Sequence, residues 1–266
     1  MRGSSRADRE LIQGRNAARE ALRSGRRCRR LLLDASARPS PLLDEILRLA
    51  EERGVPVERL ERSDLTRRLG GDAYQGIALW AEPRPLPSLE QILDACDAER
   101  ADPCLLLLKE VLYEHNLGAI LRLADACAVH AVVVPSRQGA GVSGDVARIS
   151  AGASEYVPVL RQSLLQAISR LRRRGVRIIA AEAGAAQDVW DCDLTGPVAL
   201  VLGGEDAGVS QAILDRCDAV VRIPIGGHIG SLNVATACAV VLFERLRQLR
   251  GGEASSGPAQ PDTQQA

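Results

Sequence analysis

The stretch from Ile223 to Phe243 reads IPIGGHIGSLNVATACAVVLF. A short apolar run ends at a glycine pair and a polar turn, and a long apolar segment with almost no charge continues to Glu244. Ser231 and Asn233 are residue types that cap helix N-termini, so the pattern predicts a strand, a turn and a helix. The amides at a helix start favour electron-rich ligands, but a buried unit with nothing bound fits the composition equally well.

Upstream of this stretch, apolar strands alternate with amphipathic helices. Strands are predicted at Cys104–Leu108, Ala131–Pro135, Val176–Ala181, Val198–Leu202 and Ala219–Ile223. Helices are predicted at Leu117–Val129, Ser163–Arg174, Ser210–Arg216 and Ser231–Leu249. This alternation indicates a parallel sheet covered on both faces, with ligands beyond the carboxyl ends of the strands. The loops after 104–112, 198–202 and 219–225 should therefore meet at one edge of the sheet.

The first part of the chain predicts a second, smaller α/β unit. Its helices are predicted at Gly14–Leu22, Pro41–Arg53 and Ser63–Leu69, the last capped by Ser63, and its strands at Arg30–Asp34, Val55–Leu60 and Gly76–Ala81. A proline-rich linker at 83–88 separates this unit, residues 11–82, from a larger domain at 89–250. Residues 1–10 should form a flexible arm and residues 251–266 a disordered tail, since both segments are polar.

The composition is that of an ordinary globular protein with a local excess of arginine. The formal net charge is zero, which counts mildly against a nucleic-acid partner. However, ten arginines lie among residues 1–33, against three acids. Aromatic residues are only 2% of the chain, so stacking platforms for unpaired bases are scarce.

The seven cysteines show no spacing typical of a metal site, and they are expected to be buried thiols in a reducing compartment. We see neither a signal peptide nor an apolar run of the roughly 18 residues that a membrane span needs. A soluble, cytoplasmic protein without a metal and without a membrane association is therefore expected.

Four segments match, in order, the motifs of one enzyme family. They are NLGAILR at 116–122, SAGASEYVP at 150–158, LGGEDAGVS at 202–210, and Pro224 with SLNV at 231–234. Each motif is weak alone, but their order and spacing together are specific. From about Leu11 to Leu249, the chain resembles the SpoU (TrmH) family of RNA ribose 2′-O-methyltransferases, part of the SPOUT superfamily.

The resemblance implies an α/β fold with a small N-terminal RNA-binding domain and a C-terminal parallel-sheet domain that contains an α/β knot. The strand pattern alone would not predict a knot, because threaded chains are very rare. The resemblance also implies a homodimer, and we expect the apolar helix face at Val234–Leu242 to form part of its interface. The arginines of the first domain would contact RNA phosphates, or else form a solvated helix face; they are Arg15, Arg19, Arg23, Arg26, Arg27, Arg29 and Arg30.

S-adenosylmethionine is the implied methyl donor and a ribose 2′-hydroxyl the acceptor. The implied cofactor-binding residues are Gly203, Ile223 and Leu232. Gly204 and Gly208 either let a ligand approach closely or only shape the loop. The implied catalytic residues are Asn116, Arg122, Glu205, Ser231 and Asn233.

In the family, the arginine that matches Arg122 is proposed to be the general base. A guanidinium stays charged in proteins, so we favour a phosphate clamp that also stabilises the developing alkoxide; a structural salt bridge is the alternative. Glu205 is expected to order the motif loops by accepting backbone N–H bonds, or to be a simple loop acid. None of the three histidines is our choice of base.

The first motif departs from the family, since Tyr113 and Glu114 stand where relatives commonly have Asp-Pro. Proline would stiffen that turn, so its absence is expected to loosen the loop before Asn116. Leu123 also replaces a small polar residue that commonly follows the arginine.

The predicted function is 2′-O-methylation of a guanosine in 23S ribosomal RNA, an analogy that rests on the extra domain. Transfer RNA is the alternative substrate, and a non-catalytic RNA-binding or assembly protein the alternative function. A small-molecule methyltransferase would leave the N-terminal domain without a task.

Overall fold

The computed structural model describes residues 10–71, 74–111, 113–136, 142–204 and 208–255, without the side chains of Tyr74 and 252–255. These residues form a four-stranded sheet and a seven-stranded sheet, each covered by helices. The predicted catalytic residue Glu205 lies outside the described residues.

The N-terminal domain is a mixed sheet with three helices. Its strands are β1 (Glu10–Gln13), β2 (Cys28–Asp34), β3 (Val57–Leu60) and β4 (Ile77–Ala81), in the spatial order β1-β4-β2-β3. Its helices are α1 (Arg15–Arg23), α2 (Pro41–Glu52) and α3 (Arg62–Leu69). Ala18, Leu22 and Ile46 are buried between α1, α2 and the sheet. The predicted α/β unit is confirmed.

Two details of the N-terminal prediction are wrong. Glu10 belongs to β1, where it pairs with Ala81, and is not part of a flexible arm. Helix α3 begins at Arg62 after Glu61, without a side-chain cap, so Ser63 does not cap it. Strand β1 was missed because four residues carry too little periodicity to be read.

The C-terminal domain contains an all-parallel sheet. Its strands are β5 (Cys104–Leu108), β6 (Ala131–Val134), β7 (Val159–Arg161), β8 (Arg177–Ala181), β9 (Gln187–Asp188), β10 (Val198–Leu202) and β11 (Ala219–Arg222), in the order β7-β6-β5-β10-β8-β11-β9. Its helices are α4 (Leu89–Glu99), α5 (Glu114–Ala126), α6 (Gly144–Ile149), α7 (Leu164–Arg173), α8 (Gln211–Leu214) and α9 (Val234–Ser255).

Alternate residues of the central strand β5 enter two separate cores. Leu106 packs with α5 and α9, whereas Leu105 and Leu107 pack with α4 and α7. All three are fully buried. The predicted parallel sheet with both faces covered is therefore confirmed.

Helix α9 is longer than predicted. It continues through Ser255, so the segment expected to be disordered from Gly251 begins as helix. Residues 256–266 lie outside the described part. Along α9, Val234, Cys238, Val241 and Leu242 are buried in the chain's own core, so most of the face predicted to form a dimer interface packs internally.

The SAGASEYVP segment joins the two domains. Gly152 has a φ of 94°, and a Cβ there would lie 2.6 Å from Glu20 of α1. The Tyr156 hydroxyl donates to Glu20 Oε2 at 2.7 Å, and burial together with this bond raises the pKa of Tyr156 to about 12. This segment therefore fixes α1 against the larger domain.

A buried ion pair lies at the same junction. Arg26 Nη1 donates to Glu155 Oε1 at 2.7 Å, and the two side chains are 6% and 3% exposed. Glu10 also pairs with Arg26, and Arg84 donates to the Glu155 carbonyl. Burial raises the pKa of Glu155, and the Arg26 charge offsets part of that rise.

Arg26 is therefore not a phosphate contact, and that prediction is wrong. The other predicted phosphate contacts are more exposed but engage partners in the same domain. Arg19 and Arg23 pair with Glu20 and Glu45, Arg27 and Arg29 with Glu82, and Arg30 with Glu58. Arg15 donates to Ser40 Oγ at 2.8 Å and to the Arg38 carbonyl.

All seven cysteines are free, and five of them are buried. Burial raises the pKa of Cys104 to about 11, so this thiol stays protonated and poorly nucleophilic near neutral pH. In the described ranges no helix combines the length and the apolar character needed to cross a membrane.

Candidate active site

A cavity of about 330 Å³ lies where the carboxyl ends of the central strands meet. Strands β5, β10, β8 and β11 are neighbours in that order, and the motif loops follow β5, β10 and β11. The cavity is lined by Ala181, Glu182, Ala183, Leu202, Gly203, Gly204, Gly208, Ile223, Ile225, Ser231, Leu232, Val234 and Ala237. The predicted meeting of the motif loops is confirmed for the second and third motifs, which form its walls.

Three glycines hold the loop after β10 in a tight fold. A Cβ on Gly203 would lie 2.5 Å from the carbonyl carbon of Gly208, and one on Gly204 would lie 2.7 Å from Glu110 Cβ. Gly208 has a φ of 53° and packs on the Glu182 carboxylate. Neighbouring protein atoms thus account for the absence of side chains at all three positions.

Asn233 links the start of α9 to the first motif. Its Oδ1 accepts hydrogen bonds from the amides of Ala235 at 2.9 Å and Thr236 at 3.4 Å, so it caps the helix as predicted. The cap orients the side-chain amide, and its Nδ2 donates to Asn116 Oδ1 at 3.2 Å. Asn116 is only 7% exposed, so the two motif asparagines are fixed together beside the cavity.

The predicted site residues fall into three groups. Gly203, Ile223, Leu232 and Ser231 line the cavity, and Asn116 and Asn233 are hydrogen-bonded to each other. Arg122 is solvent-exposed on α5 and does not line the cavity. Glu205 is not described.

The Arg122 side chain makes no hydrogen bond or ion pair with any residue that the structure describes. The structural salt bridge considered as its alternative role is therefore not found among those residues. No described residue therefore holds its guanidinium away from a ligand.

Sequence reasoning missed Glu182. This residue directly follows β8, which lies between β10 and β11, and it forms part of the cavity wall. Its Oε2 accepts a hydrogen bond from the Val209 amide at 2.8 Å. An acid after a predicted strand is a weak signal, and only the sheet order places it between the two motif loops.

The histidines take no part in this arrangement. Nδ1 of His130 accepts from the Cys104 amide at 3.1 Å, a structural contact. His115 and His228 are exposed and do not line the cavity.

The cavity fits an adenosine-containing cofactor. The lining includes the apolar side chains of Ile223, Leu232 and Val234, which suit a planar base, and the main chain of the glycine loop at Gly203 and Gly204. Its volume is at the lower end of the range of small-molecule sites, about 300–1,000 Å³.

Comparison with known proteins agrees with this geometry. Residues 103–243 match the model of the SpoU rRNA Methylase family, and residues 11–87 match that of the RNA 2′-O ribose methyltransferase substrate binding domain. The chain is 38% identical over 208 residues to the 23S rRNA (guanosine-2′-O-)-methyltransferase RlmB of Ralstonia nicotianae, covering 77% of this chain and 82% of that one.

Two further relatives cover almost the whole chain. A putative TrmH family tRNA/rRNA methyltransferase, YacO of Bacillus subtilis, is 29% identical over 240 residues, 90% of this chain and 96% of that one. The SpoU methyltransferase AviRb of Streptomyces viridochromogenes, solved in complex with AdoMet, superposes with a TM-score of 0.76 at 26% identity and covers 93% of each chain. This chain belongs to the SpoU family of RNA 2′-O-ribose methyltransferases, which use S-adenosylmethionine.

Proposed function

We propose that this protein methylates the 2′-hydroxyl of a guanosine in 23S ribosomal RNA. The observation that carries the proposal is the Asn116–Asn233 bond, because it brings the first and third motifs together beside the cavity. Relatives at 33–38% identity are named as 23S rRNA guanosine-2′-O-methyltransferases, which supports the choice of RNA and nucleotide.

Residues in and around the cavity have separate roles in the proposed reaction. The bound cofactor supplies an electrophilic methyl group on a sulfonium sulfur. Gly203, Ile223 and Leu232 would hold its adenine, and Ser231 and Asn233 would orient the ribose hydroxyl of the RNA. Arg122 binds the adjacent phosphate and stabilises the negative charge that develops on the 2′-oxygen, while the hydroxyl proton passes to water.

The N-terminal domain offers two basic depressions to an RNA substrate. One is lined by Arg15, Asp34, Ser36, Ala37, Arg38, Arg62, Leu65, Thr66, Gln75 and Gly76. The other is lined by Arg29, Arg30, Leu32, Arg68 and Trp80. Arginine side chains give affinity for phosphates without reading sequence, and Trp80 provides a surface on which an unpaired base can stack.

The knot, the homodimer and the cytoplasmic location belong to the same proposal. The lining of the cavity supports a knot. Leu232, which precedes α9, and Gly203, in the loop after β10, line the same cavity, as expected where the C-terminal helix passes a loop. Exposed apolar side chains support a dimer, namely Ile229 at 78%, Tyr113 at 60% and Phe243 at 49%. Free, buried thiols support a reducing cytoplasm.

Gly203→Ala is expected to weaken binding of S-adenosylhomocysteine, the reaction product, by about 10-fold or more. The new Cβ would lie 2.5 Å from the Gly208 backbone, so the loop that lines the cavity would have to shift. Gly226→Ala is the control, because a Cβ there would meet nothing within 4 Å. Calorimetry that gives the two variants the same Kd would contradict the assignment of this loop.

Asn233→Asp is expected to lower turnover by about 10-fold while the protein stays folded. The aspartate keeps the acceptor that caps α9 but loses the donor to Asn116. Asn233→Ala should also lose the cap, at about 1 kcal/mol of stability. Single-turnover rates and thermal melts check both effects, and a fully active Asn233→Asp enzyme would exclude a role for the pair.

The substrate is tested by offering unmodified 23S rRNA and a pool of unmodified transfer RNA in competition, with labelled S-adenosylmethionine. We expect label in 23S rRNA at one position, which then resists alkaline cleavage. Label in the transfer RNA pool alone would overturn the ribosomal assignment and favour the alternative substrate.

A further inference from the structure

We infer that Glu182 binds the ribose hydroxyls of the cofactor through its carboxylate. The inference rests on the proposed function and adds a cofactor-binding residue that lies outside the sequence motifs. Glu182 is the only acidic side chain among the described residues that line the cavity. The cavity-lining set contains no arginine, lysine or histidine that would neutralise it.

The position of Glu182 in the sheet points to the ribose. Strand β8 lies between β10 and β11, so Glu182 lies between the loops that carry Gly203 and Ile223. Those loops are the adenine-binding walls in the proposed function, and the group joined directly to the adenine is the ribose. The ammonium and carboxylate of the methionine part lie further along the molecule.

The chemistry of the carboxylate fits a vicinal diol. Ionised carboxylates are pure acceptors with two oxygens, and a ribose offers two adjacent hydroxyl donors. An acidic residue that accepts from ribose hydroxyls is a known solution in other parallel-sheet nucleotide sites. In Glu182, Oε2 already accepts from the Val209 amide at 2.8 Å, and Oε1 has no hydrogen-bond partner among the described residues.

The Val209 bond also keeps the carboxylate in place. Gly208 packs so closely on it that a Cβ would lie 2.7 Å from Oε2 and 2.9 Å from Oε1. The carboxylate is therefore held against the glycine loop before a ligand arrives, and little ordering remains to be done on binding.

The test compares two ligands in calorimetry. Both S-adenosylhomocysteine and 5′-methylthioadenosine contain the adenine and the ribose. Only S-adenosylhomocysteine also carries the amino-acid end. We expect Glu182→Gln to weaken both ligands by the same factor, about 10-fold or more, because charge-assisted hydrogen bonds to the diol are lost. Glutamine can still accept from the Val209 amide, so the loop should keep its fold and the melting temperature should change little.

Glu110→Gln is the matched control. Glu110 is a half-buried carboxylate that contacts the same loop through Gly204 but does not line the cavity, so both Kd values should stay at the wild-type level. Weakening of S-adenosylhomocysteine alone would place Glu182 at the amino-acid end and overturn the inference. Unchanged binding of both ligands would leave Glu182 as a loop contact and also overturn it. A wild-type protein that binds neither ligand would instead refute the proposed function itself.

Discussion

Replacing Arg122 with alanine is expected to lower the rate of methyl transfer by about 10²-fold or more, with cofactor affinity unchanged. Arg122 is exposed on α5, the helix that carries Asn116, and has no partner among the described residues. Its charge is therefore available to the RNA phosphate and to the developing alkoxide. Because it does not line the cavity, the Kd for S-adenosylhomocysteine should not change. Single-turnover rates at saturating cofactor measure the effect.

A second variant, Arg122→Lys, separates the effect of the charge from that of the guanidinium geometry. Lysine keeps the charge but not the two parallel N–H donors of a guanidinium, so a phosphate clamp predicts partial activity between alanine and wild type. If Arg122→Lys is as active as the wild-type enzyme, Arg122 contributes only its positive charge. Near-normal turnover of Arg122→Ala would remove the residue from the mechanism.

Glu155→Ala is expected to lower the free energy of unfolding by about 3–5 kcal/mol, since it leaves the buried Arg26 charge without its main partner. The Arg26–Glu155 pair lies at the junction of the two domains and is 6% and 3% exposed. Urea denaturation followed by far-UV circular dichroism measures the loss. Activity should fall in parallel only where the protein unfolds, because neither residue lines the cavity.

Glu58→Gln provides the comparison at the surface. Glu58 pairs with Arg30 and Arg68, whose side chains are about half exposed, and exposed pairs contribute about 0–1 kcal/mol. An Arg26→Met, Glu155→Leu double variant should regain part of the stability lost in Glu155→Ala. Equal destabilisation by Glu58→Gln and Glu155→Ala would show that burial does not distinguish the two pairs.

The fold was predictable where apolar residues recur with a clear helical or strand periodicity. The five apolar strands of the larger sheet and the long helices α5, α7 and α9 are present, with ends shifted by a few residues. Short elements such as β1, α6 and β7 span six residues or fewer and leave no period to read. Helix α4 was missed although Ser88 and Gln91 form a capping box, a signal that the sequence does contain.

The site was predictable where it follows the motifs. Gly203, Ile223, Ser231 and Leu232 line one cavity, and Asn116 meets Asn233 across 117 positions of sequence. Contributions from outside the motifs were not predictable, because chain order does not give sheet order. Glu182 reaches the cavity only because β8 lies between β10 and β11. The same limit applies to Arg26, whose partner is 129 residues away.

Methyl transfer to the 2′-hydroxyl is tested most directly by incubating the protein with unmodified 23S rRNA and S-adenosylmethionine that carries a deuterated methyl group. The RNA is then digested and its nucleosides are analysed by mass spectrometry. We expect one deuterated 2′-O-methylguanosine per RNA molecule, and a strongly reduced amount with Arg122→Ala. A protein that binds S-adenosylhomocysteine and RNA but leaves no labelled nucleoside would contradict it and favour a non-catalytic RNA-binding protein of the same fold.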